Sequence, residues 1–157
     1  GMEKGLDKGI AVQAIAVLAF SGIAGKLCIG FLADRINKCL LLAAVLLLFA
    51  LALLLLLIAE DANTIMLASI LIGFSASSSL PLWHALTASL FGVVNFSRVI
   101  GLTQLIVFPM VMAGPPVAGL IYDRTGSYDD ALKIFSALLL AALLLIIGVR
   151  AKEKSVL

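Results

Sequence analysis

Few side chains in these 157 residues could do chemistry, and most of them stand inside apolar runs. Lys26 interrupts a hydrophobic stretch, and a cation there offers a point charge to an anion. His84, the only histidine, follows Pro81 and Trp83 at the end of a serine-rich run, and its ordinary pKa near neutrality suits proton exchange. Gln104 has an amide that could bond a solute or a neighbouring helix. Asp34, Arg35 and Lys38 form a charged knot between two of the most apolar segments. No nucleophile and base fall at a motif spacing, and no glycine-rich phosphate loop occurs, so the chain does not read as an enzyme. Cys28 and Cys39 lack metal-ligand spacing and a nearby histidine, so neither a metal nor any other cofactor is expected. The available chemistry is binding, proton exchange and ion pairing.

These residues need scaffolding that composition specifies. The chain is 63% hydrophobic and 13% charged, far more apolar than a soluble domain with one small core. It reads as an integral membrane protein whose partner is the lipid bilayer, and no basic patch with interleaved aromatics suggests nucleic acid. Backbone polar groups in lipid must be satisfied within a helix or a closed barrel. Runs such as LLLAAVLLLFALALLLLLIA, residues 40–59, do not alternate and exclude the barrel. The expected fold class is all-α, a polytopic bundle with one helical domain over residues 1–157. At roughly 20 apolar residues per crossing, five transmembrane helices are expected, at about 10–32, 39–59, 64–89, 99–121 and 131–149.

The connections RINK, EDAN, FGVVNFSR and YDRTGSYDD are short, so neighbouring helices should run antiparallel. One set of ends holds Arg35, Lys38, Arg98, Arg150, Lys152 and Lys154 against Asp34 and Glu153. The other holds Lys4, Lys8, Arg124 and Lys133 against Glu3, Asp7, Glu60, Asp61, Asp123, Asp129 and Asp130. By the positive-inside rule the first set is cytoplasmic, with the C-terminus in and the N-terminus out. That orientation suits the tail of a longer chain, and the short loops suit a bacterial inner (plasma) membrane. The second and fifth spans are almost pure Leu, Ala, Val and Ile and read as lipid-facing struts. The first, third and fourth carry the serines, glycines, prolines and amides, and read as the lining of a pathway.

The segment Gly30 to Lys38, GFLADRINK, resembles the signature loop of the major facilitator superfamily. GPPVAGLIYDRTGSYDDAL, residues 114–132, and FGVVNFSRVIGL, residues 91–102, resemble two later junctions of its monocarboxylate-porter and oxalate/formate-antiporter branch. The resemblance implies that the five spans correspond to helices eight to twelve of a twelve-helix fold, and that the missing N-terminal half, helices one to seven, is the principal partner. It implies that Gly30, Asp34, Arg35 and Lys38 form a conformational latch between neighbouring helices, beyond the alternative of charges that only set topology. Asn37 replaces the usual glycine, and as a residue tolerant of left-handed backbone it would keep the turn. Lys26 matches a basic residue that binds substrate carboxylate, against the alternative of snorkelling to the surface, while Gly22 stands where porters have an aspartate.

The implied function is secondary active transport of a small organic anion, such as a monocarboxylate, by alternating access, with a proton as candidate coupling ion. Substrate-binding candidates are Lys26, His84, Gln104 and Trp83, though a hydrogen-bonded packing role suits His84 better than proton coupling. Pro109, Gly114, Pro115, Pro116 and Gly119 would form a hinge or a fixed kink in the fourth span. The alternatives are a drug or sugar carrier of the same superfamily, and a free-standing five-helix binding or scaffold protein.

Overall fold

The structure, a computed structural model, describes residues 8–154 and the side chains of 12–148. Glu3, Lys4 and Asp7, which enter the charge count, lie outside the described residues, as do the side chains of Lys8, Arg150, Lys152, Glu153 and Lys154. Four helical elements follow one another: α1, Lys8–Ala33; α2, Lys38–Ile58; α3, Ala62–Thr125; and α4, Asp129–Lys154. Each includes a segment long and apolar enough to cross a membrane.

Five helices are expected; four elements are described because α3 takes in both the predicted third and fourth spans, which a break in the helix separates. Within α3 only Gly92 leaves helical geometry, with φ 73° and ψ 163°. Side chains lack ready access to that region, and glycine enters it without a Cβ clash. The chain turns back there: Ser79 and Trp83, before the break, line a cavity with Thr103 and Gln104, after it. We call residues 62–91 the first arm and 93–125 the second. FGVVNFSR is therefore helix on both sides of one glycine instead of an open loop.

The turn between α1 and α2 also differs from expectation. Asn37 has φ −57° and ψ 117°, outside the left-handed region. Its side-chain oxygen accepts from the amides of Cys39 at 3.0 Å and Leu40 at 3.2 Å. Asn37 is thus an N-cap, an arrangement worth about 1 kcal/mol over alanine. At the other end of the bundle Gly126, at φ 72°, closes α3 by donating to the Tyr122 carbonyl at 2.8 Å. Tyr122 and Tyr128 stack across that turn with ring centroids 4.6 Å apart.

Packing is uneven. α1 meets the first arm along a seam of glycines: a Cβ on Gly22 would come within 3.1 Å of the Ser77 Cβ, and one on Gly25 within 2.9 Å of the Phe74 Cα. A Cβ on Gly73 would strike the Leu18 backbone and the Ser21 hydroxyl. Only small residues allow backbones this close, a recurrent device for joining helices in lipid, where hydrophobicity gives no drive for association. Further along, Ile29 and Ala33 join Leu41, Leu42, Val45 and Leu82 in the core. From Leu18 against Gly73 to Ile29 and Ala33 beside Leu82 the numbers rise together, so α1 and the first arm run parallel, and the 34–37 turn and the Gly92 break lie at the same end.

α2 is not only a lipid-facing strut. Leu41, Leu42, Val45, Ala50, Ala52 and Leu53 are buried, and α2 packs against both α3 and α4. Its high leucine content hides this burial, because an inward leucine and a lipid-facing one look alike in sequence.

Candidate functional site

The four substrate-binding candidates do not converge. Lys26 is exposed on α1, one residue beyond Gly25 and therefore about 100° around the helix from it. Among the described residues it has no ion pair. Gly22 lies one turn earlier and faces Ser77 and the Gly73 carbonyl. An aspartate at that position would meet the first arm, which accounts physically for glycine here.

Trp83 and Gln104 do come together. With Ser79, Leu80, Thr103 and Val107 they line a cavity of about 370 Å³, backed by Leu42 and Leu46 of α2 and Ala142 and Ile146 of α4. No α1 residue contributes a wall, so Lys26 takes no part in it. The lining is uncharged, and its hydroxyls are already engaged: Ser79 Oγ donates to the Ala76 carbonyl at 2.8 Å and Thr103 Oγ1 to Val99 at 2.7 Å. The amide of Gln104 and the indole of Trp83 remain for a ligand.

His84 sits beside Trp83 in sequence but not on the cavity wall. Its ring stands edge-on to Phe96, 6.3 Å between centroids at 85°, which ties the two arms together near the break. Its Nε2 is buried with no hydrogen-bond partner. A lone buried ring nitrogen is costly to desolvate unless paired.

Three further serines of the first arm do not face an open path either. Ser69, Ser75 and Ser78 are buried and donate to carbonyls of their own helix at 2.6–2.8 Å. They act as small packing residues that satisfy themselves, a use of serine that sequence alone does not separate from pathway lining.

In the 34–38 turn no ion pair joins Asp34, Arg35 or Lys38 to any described residue. Arg35 instead lies over the Phe31 ring, 4.3 Å from its centroid, a cation–π contact that sequence reading does not pick out. Gly30 is exposed, with open space where a Cβ would stand. The signature loop is therefore well formed as a turn, with its charges free to pair elsewhere.

The prolines of the second arm keep helical dihedrals, since only Gly92 departs from them within α3. Each nevertheless removes one backbone donor, leaving the carbonyls of Leu105, Val111 and Met112 without their usual partner. Gly114 and Pro115 border an apolar cavity of about 590 Å³ shared with Phe49, Leu53, Phe135 and Leu138. Gly119 has open space around it. The largest local signal missed in the sequence is Gly92, recognisable only as one glycine within FGVVNFSR.

Against known proteins, the family model described as "Major Facilitator Superfamily" matches residues 3–156. Similar proteins include monocarboxylate transporter 13 of Rattus norvegicus, 26% identical over 143 residues, covering 88% of this chain and 33% of the relative. Human monocarboxylate transporter 2 is 26% identical over 144 residues, covering 89% of this chain and 30% of the relative. The aspyridones efflux protein apdF of Emericella nidulans is 25% identical over 138 residues, covering 87% and 28%. The chain thus spans about a third of the length of these relatives. Its apolar helices suit a family of membrane transporters and not of enzymes, and the match covers nearly every residue: the chain belongs to the major facilitator superfamily.

Proposed function

We propose that this chain is the C-terminal portion of a secondary transporter that moves a small organic anion, of the monocarboxylate class, by alternating access. In this reading α1, α2, the two arms of α3 and α4 serve as helices eight to twelve, and helices one to seven supply the other wall of the path. The set of ends bearing Arg35, Lys38 and Arg98 faces the cytoplasm of a bacterial cell. Asp34, Arg35 and Lys38 act as a latch whose charges pair with the other half in one state and separate in the other. The prolines near Pro109 and Pro115 let the second arm bend as the halves rock.

The observation that carries the anion reading is Lys26. It stands about two turns inside the end of the apolar helix α1, exposed, and without an ion pair among the described residues. An unpaired charge held in a membrane helix costs several kcal/mol, and that cost is offset when an anion arrives from the path. The similarity to monocarboxylate transporters supports the same class.

The test is uptake of labelled lactate into vesicles holding the full-length protein. Lys26→Gln is expected to reduce uptake at least about tenfold and Lys26→Arg to retain most of it, since the arginine keeps the charge. Full uptake by Lys26→Gln overturns the anion reading.

A second reading, export of a neutral apolar solute, is favoured by the uncharged Trp83–Gln104 cavity. It requires the opposite pattern: Lys26→Gln leaves transport intact, and Trp83→Ala abolishes it.

A further inference from the structure

Two connections share one end of the bundle and could hardly differ more. The α1–α2 turn carries Asp34, Arg35, Asn37 and Lys38. The Gly92 tip carries Leu90, Phe91, Val93 and Val94, which are 63%, 52%, 86% and 95% exposed. Phe96, by contrast, turns inward against His84. The four outward side chains therefore form a contiguous apolar knob that the protein does not cover.

Such a knob in water is costly, at roughly 25 cal/mol for each Å² of apolar surface, and contiguous exposed patches of this kind mark interaction sites. Its position indicates what covers it. The first arm has roughly thirty residues before Gly92, about 45 Å of helix. That length exceeds the hydrocarbon core, about 30 Å thick, and brings the tip to the headgroup layer. The knob continues the outward apolar surface of the second arm, which includes Leu102, Leu105 and Phe108. Charge at this end points the same way. Arg35, Lys38 and Arg98 have no ion pair among the described residues and face one acid, Asp34, in the same region. This excess of cations suits anionic lipid headgroups.

We propose that the Gly92 tip is a membrane anchor: Leu90, Phe91, Val93 and Val94 bury at the boundary of headgroups and acyl chains, and Arg98 pairs with lipid phosphates behind them. The sharp reversal at Gly92 makes this possible, because it presents side chains on both sides of the break outward together. The anchor holds the break between the two arms at a fixed depth. Neither the identity of the transported solute nor the role of Lys26 enters the inference.

The test places a single tryptophan at the tip, as Val94→Trp in a Trp83→Phe background of the full-length protein, reconstituted in vesicles of phosphatidylcholine and phosphatidylglycerol. Trp83 is the only tryptophan in these 157 residues; with every tryptophan elsewhere in the full-length protein also replaced by phenylalanine, the emission reports the tip alone. Blue-shifted emission is expected, with quenching by acyl bromines near the headgroup exceeding that by bromines near the chain end at least about twofold, as for a group buried 5–10 Å deep. Adding Arg98→Gln should weaken that quenching in phosphatidylglycerol-rich vesicles and leave it unchanged in pure phosphatidylcholine. Strong quenching by aqueous iodide with water-like emission overturns the proposal in favour of a free tip. Protection from both quenchers also overturns it, by showing that protein covers the knob.

Discussion

Along the first arm of α3 the backbone comes into contact with α1 at glycines, while along the second arm Leu105, Phe108, Met110 and Val111 stand 63–72% exposed. Both arms are parts of one element and carry glycine and proline. The difference lies in where those residues point. Gly22, Gly25 and Gly73 face another helix and remove the side chains that would separate the two backbones. Gly101, Gly114 and Gly119 have open space around the position of a Cβ. A glycine in a helix costs about 1 kcal/mol relative to alanine. In the seam that cost is offset by close contact, whereas in the second arm, together with three prolines, it leaves a helix with fewer internal constraints. In the proposed transport cycle the first arm and α1 stay together as the pair that presents Lys26, and the second arm is the part that moves against it.

The comparison can be broken at the seam. Gly25→Val puts its side chain against Phe74 backbone atoms that cannot yield, and should cost about 3 kcal/mol, read as a fall in Tm of the detergent-purified protein. Gly101→Val, a matching change in the second arm, should leave Tm near the wild-type value. Equal losses at both sites would remove the distinction. At the break, Gly92→Ala forces a side chain into a region of φ and ψ that disfavours it, and should cost about 1–2 kcal/mol by the same measurement. The smallest effect is expected at Asp130→Asn. Its 2.9 Å pair with Lys133 is exposed on both sides, and such pairs contribute little in water, so no measurable change in Tm is predicted.

Membrane class and helical content were legible in the sequence because runs such as residues 40–59 are longer and more uniformly apolar than a soluble core requires. The family was legible in GFLADRINK. The break at Gly92 was not: Asn95, Ser97 and Arg98 made an eight-residue loop the natural reading, where one glycine suffices. Pairing across the seam was also hidden, because Gly22 and Gly25 announce a close contact without naming Gly73 as its partner. Lys26 and Trp83 both read as substrate-binding candidates. Which face of a helix a residue occupies relative to its neighbours depends on how the helices assemble, and the structure gives the Trp83 cavity walls from α2, α3 and α4 only. The serines misled for a chemical reason: a hydroxyl bonded to its own helix is no longer available to a solute.

The most direct measurement of the rigid pair and the mobile arm is a pair of spin-label distances in the full-length protein in lipid, taken with and without an anion gradient. Leu27 of α1 is paired first with Leu80 of the first arm and then with Phe108 of the second, all three being exposed positions. The Leu27–Leu80 distance should be narrow and the same in both conditions, while the Leu27–Phe108 distribution shifts or splits. A Leu27–Leu80 distance that changes with the gradient as much as Leu27–Phe108 does would contradict the account.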